Sequence, residues 1–251
     1  MQKAVFVDRD GVINIDYGHV HKKENFHFFD GIFEVLKWFE DNGYLIIVVT
    51  NQAGIAKGLY TEQEFLSLTD WMIEKFREKG ITINKVYYCP HHPDYTGDCE
   101  CRKPKPGMIL RAKEEFGIDL GLSVLIGDKE SDVEAGLRAG VGKIFLFTHM
   151  DNNEKLEINN KNVFLVEKLI DIIIFLDIEE CIKAEKQINI ISIKITNLQE
   201  IEKYVDSNLA FDIVNDLANQ LMHYCGKERV YSYEKDELIV LACENCEGAF
   251  L

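Results

Sequence analysis

Four times within the first 128 residues, a short and mostly apolar run stops at a polar residue. Ala4-Val5-Phe6-Val7 ends at Asp8, Tyr44–Val49 at Thr50, Lys85–Tyr88 at Cys89, and Ser123–Ile126, after Gly127, at Asp128. Runs of this length without alternation are the signature of strands buried on both faces. The segments between them have helical spacing. Ile32, Val35, Leu36 and Phe39 lie on one helical stripe that stops at Gly43, and glycine is a natural helix terminator. Thr61 with Glu64 three residues on forms a capping box for a helix reaching about Lys79. Further helices are expected from about Pro106 to Phe116 and Ser131 to Ala139, a strand over Lys143–Phe147, and a last strand, Val163–Val166, followed by a helix to about Ile178. Strands separated by single helices imply right-handed crossovers and a doubly wound, mainly parallel α/β sheet. Ligands of such sheets sit at the carboxyl ends of the strands, so Asp8, Thr50, Cys89 and Asp128 should converge on one rim.

The chain has 251 residues, more than an average domain needs. Its organisation reads as an α/β domain over residues 1–176, a polar, Asn-rich loop at 151–162, and a small α+β appendage over 187–251. Within the appendage the pattern predicts a strand over Ile188–Ile195, helices over Leu198–Val205 and Leu209–Tyr224, and a hairpin of Val230–Tyr233 with Leu238–Ala242. The formal net charge of −15, without a basic cluster, disfavours nucleic acid as a partner. Neither a secretory leader nor a membrane span is legible: the greasiest stretch, Ile170–Asp177, is far too short to cross a bilayer. The expected compartment is the cytoplasm, with no membrane partner. The expected state is a monomer, with the C-terminal segment as the surface through which copies could associate.

Asp8-Arg9-Asp10-Gly11-Val12 sets two carboxylates two positions apart at the end of a buried strand, where both reach one site. Crowded like charges need a cation or a raised pKa. Mg2+ suits a site of a few carboxylates plus substrate phosphate and water, and Asp128 in Gly127-Asp128-Lys129-Glu130-Ser131-Asp132 offers a third ligand. A second constellation lies in Cys89-Pro90-His91-His92 and Cys99-Glu100-Cys101. Three of the seven cysteines fall within thirteen residues, beside histidine. Three thiolates and one imidazole make the closed tetrahedral set of a structural Zn2+ site in a reducing compartment. On spacing alone His91 and His92 compete for the fourth position. A closed site shapes its loop rather than activating water, and this loop runs directly into Arg102 and Lys103.

Asp8–Val12, Val48-Val49-Thr50-Asn51-Gln52-Ala53-Gly54-Ile55-Ala56-Lys57-Gly58, Cys101–Gly107 and Gly127–Asp132 resemble, in order, the four motifs of the haloacid-dehalogenase superfamily of phosphohydrolases. Within it, the first 176 residues most resemble the D-glycero-D-manno-heptose 1,7-bisphosphate phosphatases, relatives of the histidinol-phosphate phosphatase domains. The resemblance implies that Asp8 is a nucleophile passing through an aspartyl-phosphate and that Asp10 is general acid and base. It implies that Thr50, the Asn51 amide and Lys103 hold the phosphoryl oxygens, and that Asp8, the Asp10 carbonyl and Asp128 bind Mg2+. Asp132 would support that catalytic site, and Zn2+ would be held by Cys89, His91, Cys99 and Cys101. Asp16-Tyr17-Gly18-His19 is similar to the heptose family's substrate segment, with Tyr17 and His19 in exchanged order. Asp16, Tyr17, Gly18, His19, Asn51, Gln52, Ala53, Arg102 and Lys129 are the implied substrate contacts, for a small phosphorylated sugar entering an open, short-looped site. The implied reaction is removal of the 7-phosphate to leave heptose 1-phosphate. The alternatives are histidinol-phosphate hydrolysis, or a nucleotide-sensing module on a phosphatase scaffold.

More faintly, residues 188–242 resemble the first half of a diguanylate-cyclase (GGDEF-type) domain. Glu234 and Lys235 replace its signature glycines, and Lys194 stands where its metal-binding aspartate belongs. A degenerate packing or regulatory module is therefore expected rather than a cyclase. Cys243 and Cys246 form a lone CxxC, which reads as two unpaired thiols.

Overall fold

A computed structural model of the chain describes residues 1–148 and 160–183, the strand segments 188–194, 230–234 and 237–243, and positions 214, 217 and 218. The chain divides into two compact units, Met1–Ile172 and Ile173–Leu251, so the first ends slightly before the expected residue 176.

In the first unit six strands, β1 (Lys3–Val7), β2 (Tyr44–Asn51), β3 (Ile83–Cys89), β4 (Val124–Gly127), β5 (Lys143–Phe147) and β6 (Val163–Val166), form one parallel sheet in the order β3-β2-β1-β4-β5-β6. The crossovers carry α1 (Ile32–Asp41), the single turn α2 (Ala53–Ala56), α3 (Glu62–Glu78), the single turn α4 (Pro93–Thr96), α5 (Gly107–Phe116) and α6 (Glu130–Ala139). The doubly wound architecture read from the sequence is thus the observed one. Alternation along the strands divides the core. Ala4 and Phe6 of β1, Ile47 and Val49 of β2, and Leu125 of β4 join Met108, Ile109 and Ala112 of α5 and Val133 and Ala135 of α6 in one buried cluster. Helices α1 and α3 meet through Phe33 and Phe76, whose ring centroids are 5.1 Å apart. The Thr61 capping box is formed, with Glu64 N–H donating to Thr61 Oγ1 at 3.2 Å and Thr61 N–H to Glu64 Oε2 at 2.7 Å.

Two strand ends differ from the sequence reading. β2 continues through Thr50 to Asn51 because β3 keeps pairing with it as far as Cys89, and the Gln52 N–H then donates to the Cys89 carbonyl at 2.8 Å. Thr50 and Cys89 therefore belong to the strands rather than following them. The central strand β1 lies between β2 and β4, with Val7 opposite both Val48 and Ile126. Asp8, one residue later, is flanked on each side by strand ends bearing Thr50 and Asp128.

Helix α7 (Ile170–Lys183) spans the unit boundary. In the second unit β7 (Ile188–Lys194), β8 (Val230–Glu234) and β9 (Glu237–Cys243) form an antiparallel sheet in the order β7-β9-β8. The hairpin expected from the sequence is β8–β9. Residues 151–159 of the expected loop, the helix over 198–205, most of that over 209–224, and Cys246 lie outside the described residues. No helix among the described residues is long and apolar enough to cross a membrane.

Candidate active site

The carboxyl ends of β1 and β2, the turn after β4 and the loop after β3 enclose a cavity of about 350 Å³. Asp8 sits in its floor, 6% exposed. Its N–H donates to the Ile126 carbonyl at 3.0 Å, tying the turn to β4. Gly11, at φ 100°, lets the chain turn back beneath Asp128: a Cβ there would lie 2.1 Å from Asp128 Oδ2. Carboxylate oxygens of Asp8, Asp128 and Asp132 gather within 4.8 Å of one another. Burial, reinforced by the charge of Asp8, pushes the Asp128 carboxyl up to about 7, and its Oδ1 is buried with no hydrogen-bond partner among the described residues. Burial also raises Asp8, against the opposing pull of Lys103. Such a set of oxygen donors, short of positive charge and with an oxygen to spare, fits a hard divalent cation.

Lys103 is 4% exposed and reaches three acceptors: Asp132 Oδ1 at 2.5 Å, Val49 O at 2.8 Å and Asp8 Oδ1 at 2.9 Å. Burial pulls its pKa down, but Asp132 and Asp8 outweigh that and hold it at about 12, so the ammonium stays charged. The Asn51 side chain fixes this lysine's backbone from both sides, donating to Lys103 O and accepting from Lys103 N–H, each at 3.0 Å. Thr50 Oγ1 accepts from Gln52 Nε2 at 2.8 Å. Gln52 also donates to Asp10 Oδ2 at 2.9 Å.

Of the expected catalytic and substrate residues, Asp8, Asp10, Asp16, Gly18, His19, Thr50, Asn51, Gln52, Ala53, Arg102, Lys103 and Lys129 all line the cavity. Tyr17 does not. Asp16 Oδ1 accepts the Gly18 N–H at 2.9 Å in a tight turn, and Tyr17, at its apex, is 63% exposed and packs edge-on to His27. Lys129 bridges Asp16 at 3.2 Å and Asp128 at 3.3 Å. Sequence reasoning missed Lys57, Tyr60 and Ser131 as lining residues and gave His92 no place in the cavity wall, while Asp132, expected as a supporting group, does line it. It also missed Arg9, which is 1% exposed and paired to Asp10.

Beside the cavity, Cys89, His91, Cys99 and Cys101 bring three sulfurs and a ring nitrogen within 4.8 Å of one another. Sγ–Sγ distances are 3.1 to 3.5 Å, and His91 Nδ1 lies 3.4 Å from Cys101 Sγ and 3.7 Å from Cys89 Sγ. A tetrahedral zinc with its usual bond lengths separates such donors by about 3.5–3.8 Å, so the four fit around one ion with slight expansion. His92 turns elsewhere: its Nδ1 accepts the Asp94 N–H at 3.2 Å, capping α4. Arg102, next along the chain, donates to the His91 carbonyl at 3.3 Å, which couples the cluster to the cavity wall.

Residues 100–172 match a family model described as HAD-hydrolase-like. The chain is 50% identical over 155 residues to the D-glycero-alpha-D-manno-heptose-1,7-bisphosphate 7-phosphatase of Campylobacter jejuni, covering 62% of this chain and 86% of that one. It is 45% identical over 177 residues to the enzyme of the same name from Photorhabdus laumondii, covering 67% of this chain and 97% of the relative. Among solved structures it resembles the D,D-heptose 1,7-bisphosphate phosphatase from B. bronchiseptica complexed with magnesium and phosphate. That match has a TM-score of 0.64 and 26% identity, over 71% of this chain and 99% of the other.

Proposed function

Since this chain belongs to the D-glycero-D-manno-heptose 1,7-bisphosphate 7-phosphatase family, we infer that it is a phosphoric monoester hydrolase removing the 7-phosphate of a heptose 1,7-bisphosphate and leaving the heptose 1-phosphate. The relatives' shared substrate favours this reading over histidinol phosphate. The observation that carries the chemistry is the buried Asp8 carboxylate in the cavity floor, in contact with Lys103 and beside Asp128.

Asp8 attacks phosphorus, and the bond from phosphorus to the sugar oxygen breaks as the aspartyl-phosphate forms. Asp10 gives a proton to the departing sugar oxygen, whose alkoxide would otherwise be a poor leaving group. Asp10 then takes a proton from the water that attacks the phosphoenzyme, releasing phosphate and restoring Asp8. Lys103, the Thr50 hydroxyl and the Asn51 main-chain N–H supply the electrostatic support that phosphoryl transfer requires. Asp8, the Asp10 carbonyl and Asp128 would hold Mg2+, which when bound would neutralise the charge building on the phosphoryl oxygens. Cys89, His91, Cys99 and Cys101 would hold a structural Zn2+ with no open coordination position, whose part is to fix the loop carrying Arg102 and Lys103. We read residues 187–251 as a non-catalytic appendage.

Phosphate release from heptose 1,7-bisphosphate and from histidinol phosphate, each with Mg2+, tests the assignment. Heptose bisphosphate is the preferred substrate, and a strong preference for histidinol phosphate would overturn it. Asp8→Asn removes the nucleophile while Lys103 keeps Asp132 and the Val49 carbonyl. Turnover is therefore lost with little change in folding stability, and activity near wild type would refute the role of Asp8.

A further inference from the structure

Arg9 takes no part in the steps above, yet it is the largest fully buried side chain of the described residues and 1% exposed. Its Nη2 contacts both oxygens of Asp10, at 2.7 and 2.8 Å, and its Nε reaches Oδ2 at 3.1 Å. Nη2 also donates to the Val20 carbonyl at 2.7 Å, and the guanidinium lies over the Phe65 ring, 5.5 Å from its centroid. Nη1 is buried with no hydrogen-bond partner among the described residues. Burying a guanidinium with an N–H left over is a poor way to gain stability, because desolvation offsets much of what the ion pair returns. What the arrangement does secure is direction. A planar fork on a carboxylate fixes its plane as a single ammonium would not.

The remaining contacts of Asp10 complete the same clamp. Asn14 Nδ2 donates to Oδ1 at 3.1 Å and Gln52 Nε2 to Oδ2 at 2.9 Å, and Gln52 is itself held by the Tyr60 hydroxyl at 2.6 Å. We propose that Arg9 is the positioning residue of the general acid and base, holding the Asp10 carboxylate in one orientation at the cavity wall, with Gln52 and Tyr60 bracing it from the other side. From a geometry that is set before substrate arrives, the Asp10 carboxylate takes up a proton from solvent, delivers it to the departing sugar oxygen and recovers one from the attacking water. This inference rests on the reading of Asp10 as general acid.

The discriminating measurement is kcat/KM, which covers steps up to departure of the leaving group, for heptose 1,7-bisphosphate and for 4-nitrophenyl phosphate. A sugar alkoxide needs a proton to leave; a nitrophenolate does not. Arg9→Lys keeps the charge and loses the fork. It should lower kcat/KM about 10- to 100-fold on the sugar phosphate and less than about threefold on the aryl phosphate, a part of the roughly 100- to 10,000-fold that general acid catalysis contributes. Asp10→Asn should show the same asymmetry more strongly, and adding Arg9→Lys to it should cost nothing further on the sugar phosphate. Equal losses on both substrates, or no loss on either, would overturn the proposal. Absence of asymmetry in Asp10→Asn would instead remove the general-acid reading beneath it. If Arg9→Lys does not fold, as judged by its thermal melt, Tyr60→Phe must show the asymmetry in smaller measure, and equal retention on both substrates then counts against the clamp.

Discussion

Gly11 and Gly43 both have positive φ, 100° and 75°, but only one of them is crowded. A Cβ on Gly43 would meet nothing within 4 Å, whereas on Gly11 it would sit 2.1 Å from Asp128 Oδ2 and 2.3 Å from Asp128 Cγ. Ordinary contact begins at 3.4 Å, so Gly11→Ala drives the Asp128 carboxylate back by more than an ångström. Mg2+ accepts little departure from octahedral geometry at about 2.0–2.1 Å, and a ligand displaced that far is lost to it. Each substitution carries the strain of a left-handed alanine, roughly 1–2 kcal/mol. Gly11→Ala adds the displacement of a buried acid, bringing its total to about 3–4 kcal/mol, or a melting point lower by roughly 6–16 °C for a domain of this size. Urea or thermal melts give the first readout. Phosphate release titrated with Mg2+ gives the second: the concentration for half-maximal activity rises at least about tenfold in Gly11→Ala, some 1.4 kcal/mol of metal binding, and stays unchanged in Gly43→Ala. A Gly11→Ala protein with wild-type Mg2+ dependence would show that Asp128 is no ligand. Equal behaviour of the two variants would show that backbone strain accounts for everything.

Lys103→Met leaves the buried carboxylates of Asp8 and Asp132 facing one another without their shared cation. It should lose about 3–5 kcal/mol of unfolding free energy and at least about 100-fold in kcat/KM; undiminished stability in a urea melt at pH 7.5 contradicts the pairing. Purified protein should carry about one zinc per chain by elemental analysis. Cys101→Ser should lose that zinc and raise KM, because Arg102 is tied to the His91 carbonyl; a fully active, zinc-free variant argues against the cluster's role. Asp128, raised in the folded state from 3.8 to about 7 by burial and the charge of Asp8, favours the folded protein most at acid pH. That contribution is lost as pH rises through about 7. Without divalent cations the melting temperature should therefore fall between pH 5 and 7, and Asp128→Asn should flatten the slope. Since the cation binds the ionised form, Mg2+ should raise the melting temperature more at pH 7.5 than at pH 5.5; an equal rise at both pH values refutes the linkage.

What the sequence discloses here is what the backbone period controls. The strand ends carrying Asp8, Thr50 and Asp128 were legible because a strand buried on both faces announces itself within five or six residues, and the parallel register then brings neighbouring ends together. The Cys89/His91/Cys99/Cys101 cluster was legible for a different reason: few residue types bind metal, and their spacing is restrictive. Tyr17 stands apart from the other implied substrate residues: it lies at the apex of a turn closed by its own neighbours, Asp16 and Gly18, outside the cavity lining.

Arg9 was not legible, and the reason is physical. An arginine between two aspartates reads in one dimension as a solvated charge. What buries it is the Phe65 ring of α3 and the Val20 carbonyl, neither of which the local pattern associates with it. The same holds for Asn51, whose partner is the backbone of a lysine 52 residues away. Asp8 needs little beyond its place on the central strand to be recognised, since a nucleophile is defined by what it can attack. Asp10 has to be held, and the groups holding it come from residues 9, 14 and 52, with 60 behind them. A general acid's surroundings are thus assembled only when the chain closes. That is why substitutions at Arg9, more than at the motif carboxylates themselves, measure how much of the catalysis depends on the fold rather than on the motif.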